Sequence, residues 1–474
     1  MDTVTEIKQY VDEKKGLFLD AADKIWSYAE IGFKEFQSAE ALISVLKAEG
    51  FTVEEGVAGI PTAFVASYGQ GHPMIGLLGE YDALPALKHA ASDAVPSEEL
   101  TTENGHGCGH NLLGAGSLGA AIAVKDYMKA HNLPGTIKYF GCPGEEFGSG
   151  KMFMARDGLF NDLDAALTWH GGTYNSITTQ NSQANLCLYF KFKGRTSHAA
   201  GSPHLGRSAL DACELMNVGC NYLREHMLPD ERIHYAYTDV GGTAPNVVQD
   251  HACVFYYVRS PKLSQVIELT ERVKDVARGA ALMTGTQLEI VLNDGLCEYI
   301  PNHVLSTLLY ESFCEVGGPK FSPEEKALAA EFAKTFDPAV EEDKVRSMTT
   351  LFGSEVAEKY KGALLVEDIL PYKPNTTVTG GSTDVGDVSY CTPTAQMNVS
   401  TWALCTTGHT WQVTAQSGSS IGHTGTVKAA EVLALTAIKA MQDPELLKKA
   451  REEYVKVTGG KYICPVPDDV MPAL

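Results

Sequence analysis

ENGHGCGHNLLGAGSLGA, residues Glu103 to Ala120, joins a glycine-rich turn to a helix of small and apolar residues. The helix is predicted from about Leu112 to His131, between apolar strands at Met74–Gly79 and Thr136–Cys142. A strand, a helix and a second strand in that order make a parallel pair with a helical crossover. Further strands are predicted at Thr62–Ser67 and Asp164–Trp169, and helices at Val4–Glu30 and Gln37–Lys47, the latter ended by Gly50. A mostly parallel sheet with helices on both faces follows. Such sheets bind ligands beyond the carboxyl ends of their strands. GEYDALP, GCPGEE and Trp169-His170 each follow a predicted strand, so all three should converge with the Cys108–His110 turn. Thiolate and imidazole are preferred ligands of divalent transition metals.

Composition narrows the function class. The chain of 474 residues is long enough for more than one domain, and 44% hydrophobic residues exclude wholesale disorder. A formal charge of -21 argues against nucleic acid or an anionic membrane as partner. No apolar run approaches the ~20 residues of a membrane span, and the first residues carry no signal-peptide core. Eleven cysteines without regular spacing suit thiols in a reducing cytoplasm better than a disulfide framework.

The middle of the chain reads as a different unit. Strand (Asn185–Lys193), helix (Gly206–His226), strand (His234–Gly241), strand (Val247–Arg259), helix (Leu263–Met283) and strand (Gln287–Leu292) give the β-α-β-β-α-β order of ferredoxin-like domains. We expect residues 184–297 to be inserted between two parts, 1–183 and 298–474, of a discontinuous α/β domain that closes on a helix near Thr424–Met441. The charged stretch Gly318–Lys361 reads as a solvated helical excursion without chemistry.

LLGEYDAL, ENGHGCGHNLLG, FGCPGEE, DAALTWH, SPHLGRSALDA, PNVVQ, STDVGDVS and HTWQ run from about residue 77 to 412. Together they resemble the dinuclear metal-dependent amidohydrolases and carboxypeptidases that include aminoacylase, in the subgroup carrying Cys-x-His. The resemblance implies a mostly parallel metallopeptidase domain with an inserted dimerisation or lid domain. It also implies a catalytic divalent ion, Mn²⁺ or Zn²⁺, one or two per subunit, and either a homodimer or a heterodimer with a related chain. The implied substrate is a small N-acyl amino acid, with p-aminobenzoyl-glutamate leading and other acyl amino acids or dipeptides behind. A metal-binding subunit without catalysis is the reading from another class.

By the same resemblance Cys108, His110, Glu146, His170 and His409 would hold metal, with His423 as rival to His409. Glu145 would be the general base, taking a proton from water and passing it to the leaving amine. Side chains alternate along a strand, so adjacent glutamates can serve one site only from a turn, which Pro143-Gly144 supply. The plain alternative is a surface acidic pair at a helix start. His198 would reach the site of the opposite subunit and stabilise the oxyanion; otherwise it is a polar turn residue. Asn246 and Arg259 would bind the substrate carboxylate, Arg through its planar fork. Their plain alternatives are a turn residue after Pro245 and a strand-end surface charge. The family's usual His-x-Asp is here Glu80-Tyr81-Asp82, which leaves the metal bridge open. Asp384, after a glycine turn, is expected to be structural or to hold a ligand from behind, and His106 to support the backbone.

Overall fold

The computed structural model describes residues 2–97, 100–375 and 377–474. Its larger sheet contains β1 (Thr52–Glu55), β2 (Phe64–Gln70), β3 (Met74–Glu80), β4 (Gly135–Cys142), β5 (Ala165–Gly172) and β6 (Ser176–Ile177). The smaller contains β7 (Ala184–Lys193), β8 (Arg232–Asp239), β9 (His251–Ser260) and β10 (Gln287–Leu296), and β11 (Thr394–Ser400) returns to the larger. The larger sheet runs β1-β2-β4-β3-β5-β11-β6. Its centre, β4-β3-β5-β11, is parallel; β1, β2 and β6 pair antiparallel at the flanks. Antiparallel pairing needs no helical crossover, which is why the edges can depart from the parallel centre.

Helix His110–His131 lies in the layer that joins the N-terminal helix Thr3–Tyr28 and the late helix Ser420–Gln442 on one sheet face. Its small residues allow that closeness: a Cβ on Gly116 would meet the Trp169 ring, and one on Gly114 the Glu80 carbonyl. The core there includes Leu112, Leu118, Trp169, Phe18 and Leu433. The fold thus presses the amino end of this helix against the carboxyl end of β3, where ligands bind in such sheets.

The smaller sheet is antiparallel in the order β10-β7-β9-β8, with helices Ala209–Leu223 and Leu263–Thr284 closing a core of its own. That is the predicted β-α-β-β-α-β unit, ordered as in ferredoxin-like domains.

Gly318–Lys361 does not behave as a solvated excursion. It forms helices Pro323–Ala333, Pro338–Phe352 and Ser354–Tyr360, and it buries Met348, Ala357 and Tyr360 against Leu404. Val345, Met348 and Phe352 fall on one helical face beneath a charged exterior, so average composition concealed the inner stripe. Helix Pro444–Thr458, with Pro at its start, is a further element beyond those expected from the sequence. All 11 cysteines are free thiols.

Candidate metal centre

Four segments meet beyond the carboxyl ends of β3, β4 and β5. The Cys108 turn is shaped by Gly109, whose φ of 76° is left-handed; a Cβ there would also stand 2.8 Å from the Trp402 ring. The glutamates follow β4 in the turn that Pro143-Gly144 open, with Gly144 at φ 65°. Buried carboxylates pin this segment through its amides. Gly144 N–H donates to Glu35 (2.8 Å), Glu146 N–H to Asp82 (2.9 Å) and Lys151 N–H to Asp384 (2.9 Å). Glu35 and Lys151 were not among the residues expected at the site. The signal for Lys151 was a lysine in an otherwise apolar helix start, KMFMA; nothing marked Glu35. Burial, with the Asp82 charge, pushes the Glu35 carboxyl up to about 8.

All five expected ligands come together. Two sets of donor atoms form, each within 4.8 Å: Cys108, His110 and His170, and Cys108, Glu146 and His409. Cys108 belongs to both. Its Sγ is 3.4 Å from His170 Nε2, and His409 Nε2 is 3.2 Å from Glu146 Oε1. His409 N–H donates to Gly107 O at 2.9 Å, which ties the late loop to the Cys108 turn. His423 instead contacts Asp23 at 2.8 Å, so the structure groups His409 and not its rival with these donors.

Asp82 orients His110 through Nδ1 at 2.8 Å, leaving Nε2 to face the cluster. Both His110 Nε2 and Glu146 Oε1 are buried without a hydrogen-bond partner. Such orphans are costly unless something absent satisfies them. Thiol, imidazole and carboxylate donors converging on orphaned atoms fit a divalent transition metal.

Charge separates the acidic groups. Burial raises the Glu145 carboxyl well above its usual range, and the Glu80 and Glu146 charges add to it. Burial opposes charge at Glu146 too, but the nearby His409 and His110 imidazoles outweigh it and hold that carboxyl low. Burial and the Glu146 charge push the Cys108 thiol far up. His106 is buried, its Nε2 2.9 Å from Ile25 O, and burial lowers it to about 4; it supports the turn as expected.

The residues of the smaller sheet are not gathered in one place. Arg259 reaches the larger domain, donating from Nη1 to Ser382 Oγ at 3.2 Å, while its buried Nε lacks a partner. Asn246 is exposed in the β8–β9 loop, where its carbonyl accepts from Ala199 N–H, one residue from His198. His198 is exposed, with its Nδ1 held by the amides of Ala200 and Gly201. The run of β9 from His251 to Arg259 spans about 26 Å, so Asn246 and Arg259 lie toward opposite ends of that strand. Within one chain they do not form a joint carboxylate site.

A cavity of about 290 Å³ is lined by Tyr174, Tyr299, Leu351, Phe352, Ser382 and Asn398 among others. Asn398 of β11 is the register partner of His170 of β5, so the cavity begins one strand over from the metal donors.

A model of peptidase family M20/M25/M40 matches residues 76–472. The chain belongs to this family. It is 42% identical over 99% of its length, and 99% of the relative's, to one of the subunits of the p-aminobenzoyl-glutamate hydrolase of Escherichia coli (strain K12). It is 28% identical to the Xaa-Arg dipeptidase of Mus musculus, over 91% of this chain and 87% of that one. Among solved structures, the aminobenzoyl-glutamate utilization protein of Klebsiella pneumoniae matches with a TM-score of 0.60 at 18% identity, covering 91% of this chain and 98% of that chain. A dinuclear metal binding M20 peptidase of Bacillus subtilis matches at 0.52 and 15% identity, covering 91% and 99%. These two support the fold. This M20 member is a hydrolase with a divalent-metal site, and among the described residues no helix is long and apolar enough to cross a membrane.

Proposed function

We propose that the protein hydrolyses the amide bond of p-aminobenzoyl-glutamate, releasing p-aminobenzoate and glutamate. The observation that carries the chemistry is the pair of donor sets sharing Cys108, with Glu145 adjoining. The near full-length 42% relative supports the substrate. Cys108, His110, Glu146, His170 and His409 hold two divalent ions. The thiolate favours zinc, whereas the imidazole and carboxylate donors also accept manganese. When bound, the ions supply Lewis acidity to the carbonyl and the attacking water. Glu145, bonded to none of the amides that pin its neighbours, takes the proton from that water and hands it to the leaving nitrogen. Bound cations would offset the burial and the neighbouring carboxylates that raise Glu145.

Arg259 reads the substrate carboxylate at Ser382, where its spare Nε donor lies. The aromatic wall of Tyr174 and Phe352 suits the hydrocarbon part of the substrate. His198 and Asn246, in adjoining loops beyond the far end of β9, serve the opposite subunit's site, in a homodimer or with a related chain. The test is amine release by the purified, metal-loaded chain across aromatic acyl-glutamate, acyl-aspartate, acetyl-amino acids and dipeptides. Preference for aromatic acyl-glutamate is expected. Faster cleavage of dipeptides would replace the substrate, and no turnover of any amide would favour a subunit without catalysis.

A further inference from the structure

Lys151 is a lysine without any exposed side-chain surface. It sits at the start of helix Gly150–Arg156 beside the buried Met152 and Phe153. Its Nζ contacts Glu80 Oε1 at 2.7 Å and Asp384 Oδ1 at 2.5 Å, and Asp384 also accepts the Lys151 amide. Desolvating an ammonium is costly, and well-packed apolar residues commonly replace a buried ion pair at no loss. A full charge here calls for a task beyond packing.

The task is visible at the other oxygen of Glu80. Oε2 lies 3.2 Å from His110 Nε2, yet the two are not aligned as a hydrogen bond, and Nε2 remains without a partner. Asp82 already fixes the opposite ring nitrogen. The imidazole lone pair and the carboxylate oxygen therefore aim at a shared third position. Glu80, His110 and Glu145 form a third set of donor atoms within 4.8 Å of one another.

We infer that Glu80 is a further one-oxygen donor to the ion held by His110, and that Lys151, anchored by Asp384, is the positioning residue that aims it. Lys151 occupies Oε1, so Glu80 offers the metal Oε2 alone. The same contact divides the labour between neighbouring carboxylates. Glu80 is fixed as a ligand, and Glu145, which Lys151 does not touch in the described contacts, stays free to move a proton.

The inference rests on the metal-dependent reading above, and its test reads metal rather than turnover. Zn²⁺ and Mn²⁺ would be titrated calorimetrically into the full-length, chelator-treated chain and its variants, with bound metal counted by elemental analysis. Glu80→Gln and Lys151→Met should each weaken one class of site by ~10–100-fold, the range for losing a group that orients or supplements a ligand. If Lys151 works through Glu80, the double variant should bind no more weakly than Glu80→Gln alone. Wild-type metal count and affinity in Glu80→Gln would overturn the donor role. Additive losses in the double variant would overturn the positioning role. Should Lys151→Met fail to fold, Asp384→Asn, which frees the ammonium from its anchor, takes its place in the same cycle. Weakened metal binding in the variants alongside a wild-type protein that cleaves no amide would leave this inference standing and remove the amide-hydrolase reading.

Discussion

Glu145 and Glu146 are chain neighbours with opposite electrostatic surroundings. Glu146 faces the His409 and His110 imidazoles and is held low, whereas Glu145 is driven toward its protonated form by burial and by the carboxylates around it. A ligand must stay ionised, and surroundings that raise Glu145 strengthen its hold on a proton once bound cations keep it ionised at rest. Glu145→Gln should accordingly keep the metal while losing ~10²–10⁴ in kcat, the usual share of general acid–base catalysis. Steady-state rates beside a metal count check this, and wild-type turnover would end the assignment. Cys108 gives a second residue-scale test. Its thiol is protonated at neutral pH without metal, since burial and Glu146 raise it. Ligation as thiolate must expel that proton. Zinc binding near pH 7 should therefore release about one proton more per chain in the wild type than in Cys108→Ser. Calorimetry in buffers of different ionisation heat measures it, and equal release would count against Cys108 as a ligand.

At the scale of elements, β9 is the decisive strand. It carries Arg259 to the metal domain at one end, while its other end leads to the loop with Asn246. Arg259→Ala should raise KM for an acyl-glutamate by ~10–100-fold, as expected for a lost charge-assisted contact of ~1.5–3 kcal/mol. The matching α-amide should lose far less, because it has no α-carboxylate to be read. Equal losses on both substrates would make Arg259 a structural contact to Ser382. The helices of 323–360 matter at the same scale. Phe352 and Leu351 line the cavity, and Lys344 Nζ reaches Thr173 Oγ1 at 3.1 Å, just past β5.

For the whole molecule, the placing of His198 and Asn246 in adjoining loops of the inserted unit, away from the metal donors, predicts an assembly in which they complete another chain's site. Mixing inactive His198→Ala with inactive Glu145→Gln should then restore activity once subunits exchange, because one site of each mixed dimer receives both intact residues. Size-exclusion chromatography with differently tagged variants identifies the mixed species. Mixed dimers that stay inactive would place His198 outside the chemistry.

The metal turn, the strand ends and the ferredoxin-like insertion were legible in the chain because they rest on local rules. Glycine suits the φ of 76° at residue 109. A turn must separate β4 from Glu145 and Glu146, and a parallel sheet delivers its strand ends to one side. Donor chemistry marked Cys108, His110 and His170 for the same reason. The choice of His409 over His423 was not legible, since each is a histidine in a glycine-flanked stretch near the last long helices. The hydrogen bond from His409 N–H to Gly107 and the contact of His423 with Asp23 separate them. The opposed positions of Asn246 and Arg259 depended on strand length and pairing. The role of Lys151 depended on Glu80 and Asp384, the latter 233 residues away in the chain, meeting in a buried space. Local sequence sets what a side chain can do; long-range packing decides which partners it faces and whether water screens them, and those govern the chemistry here.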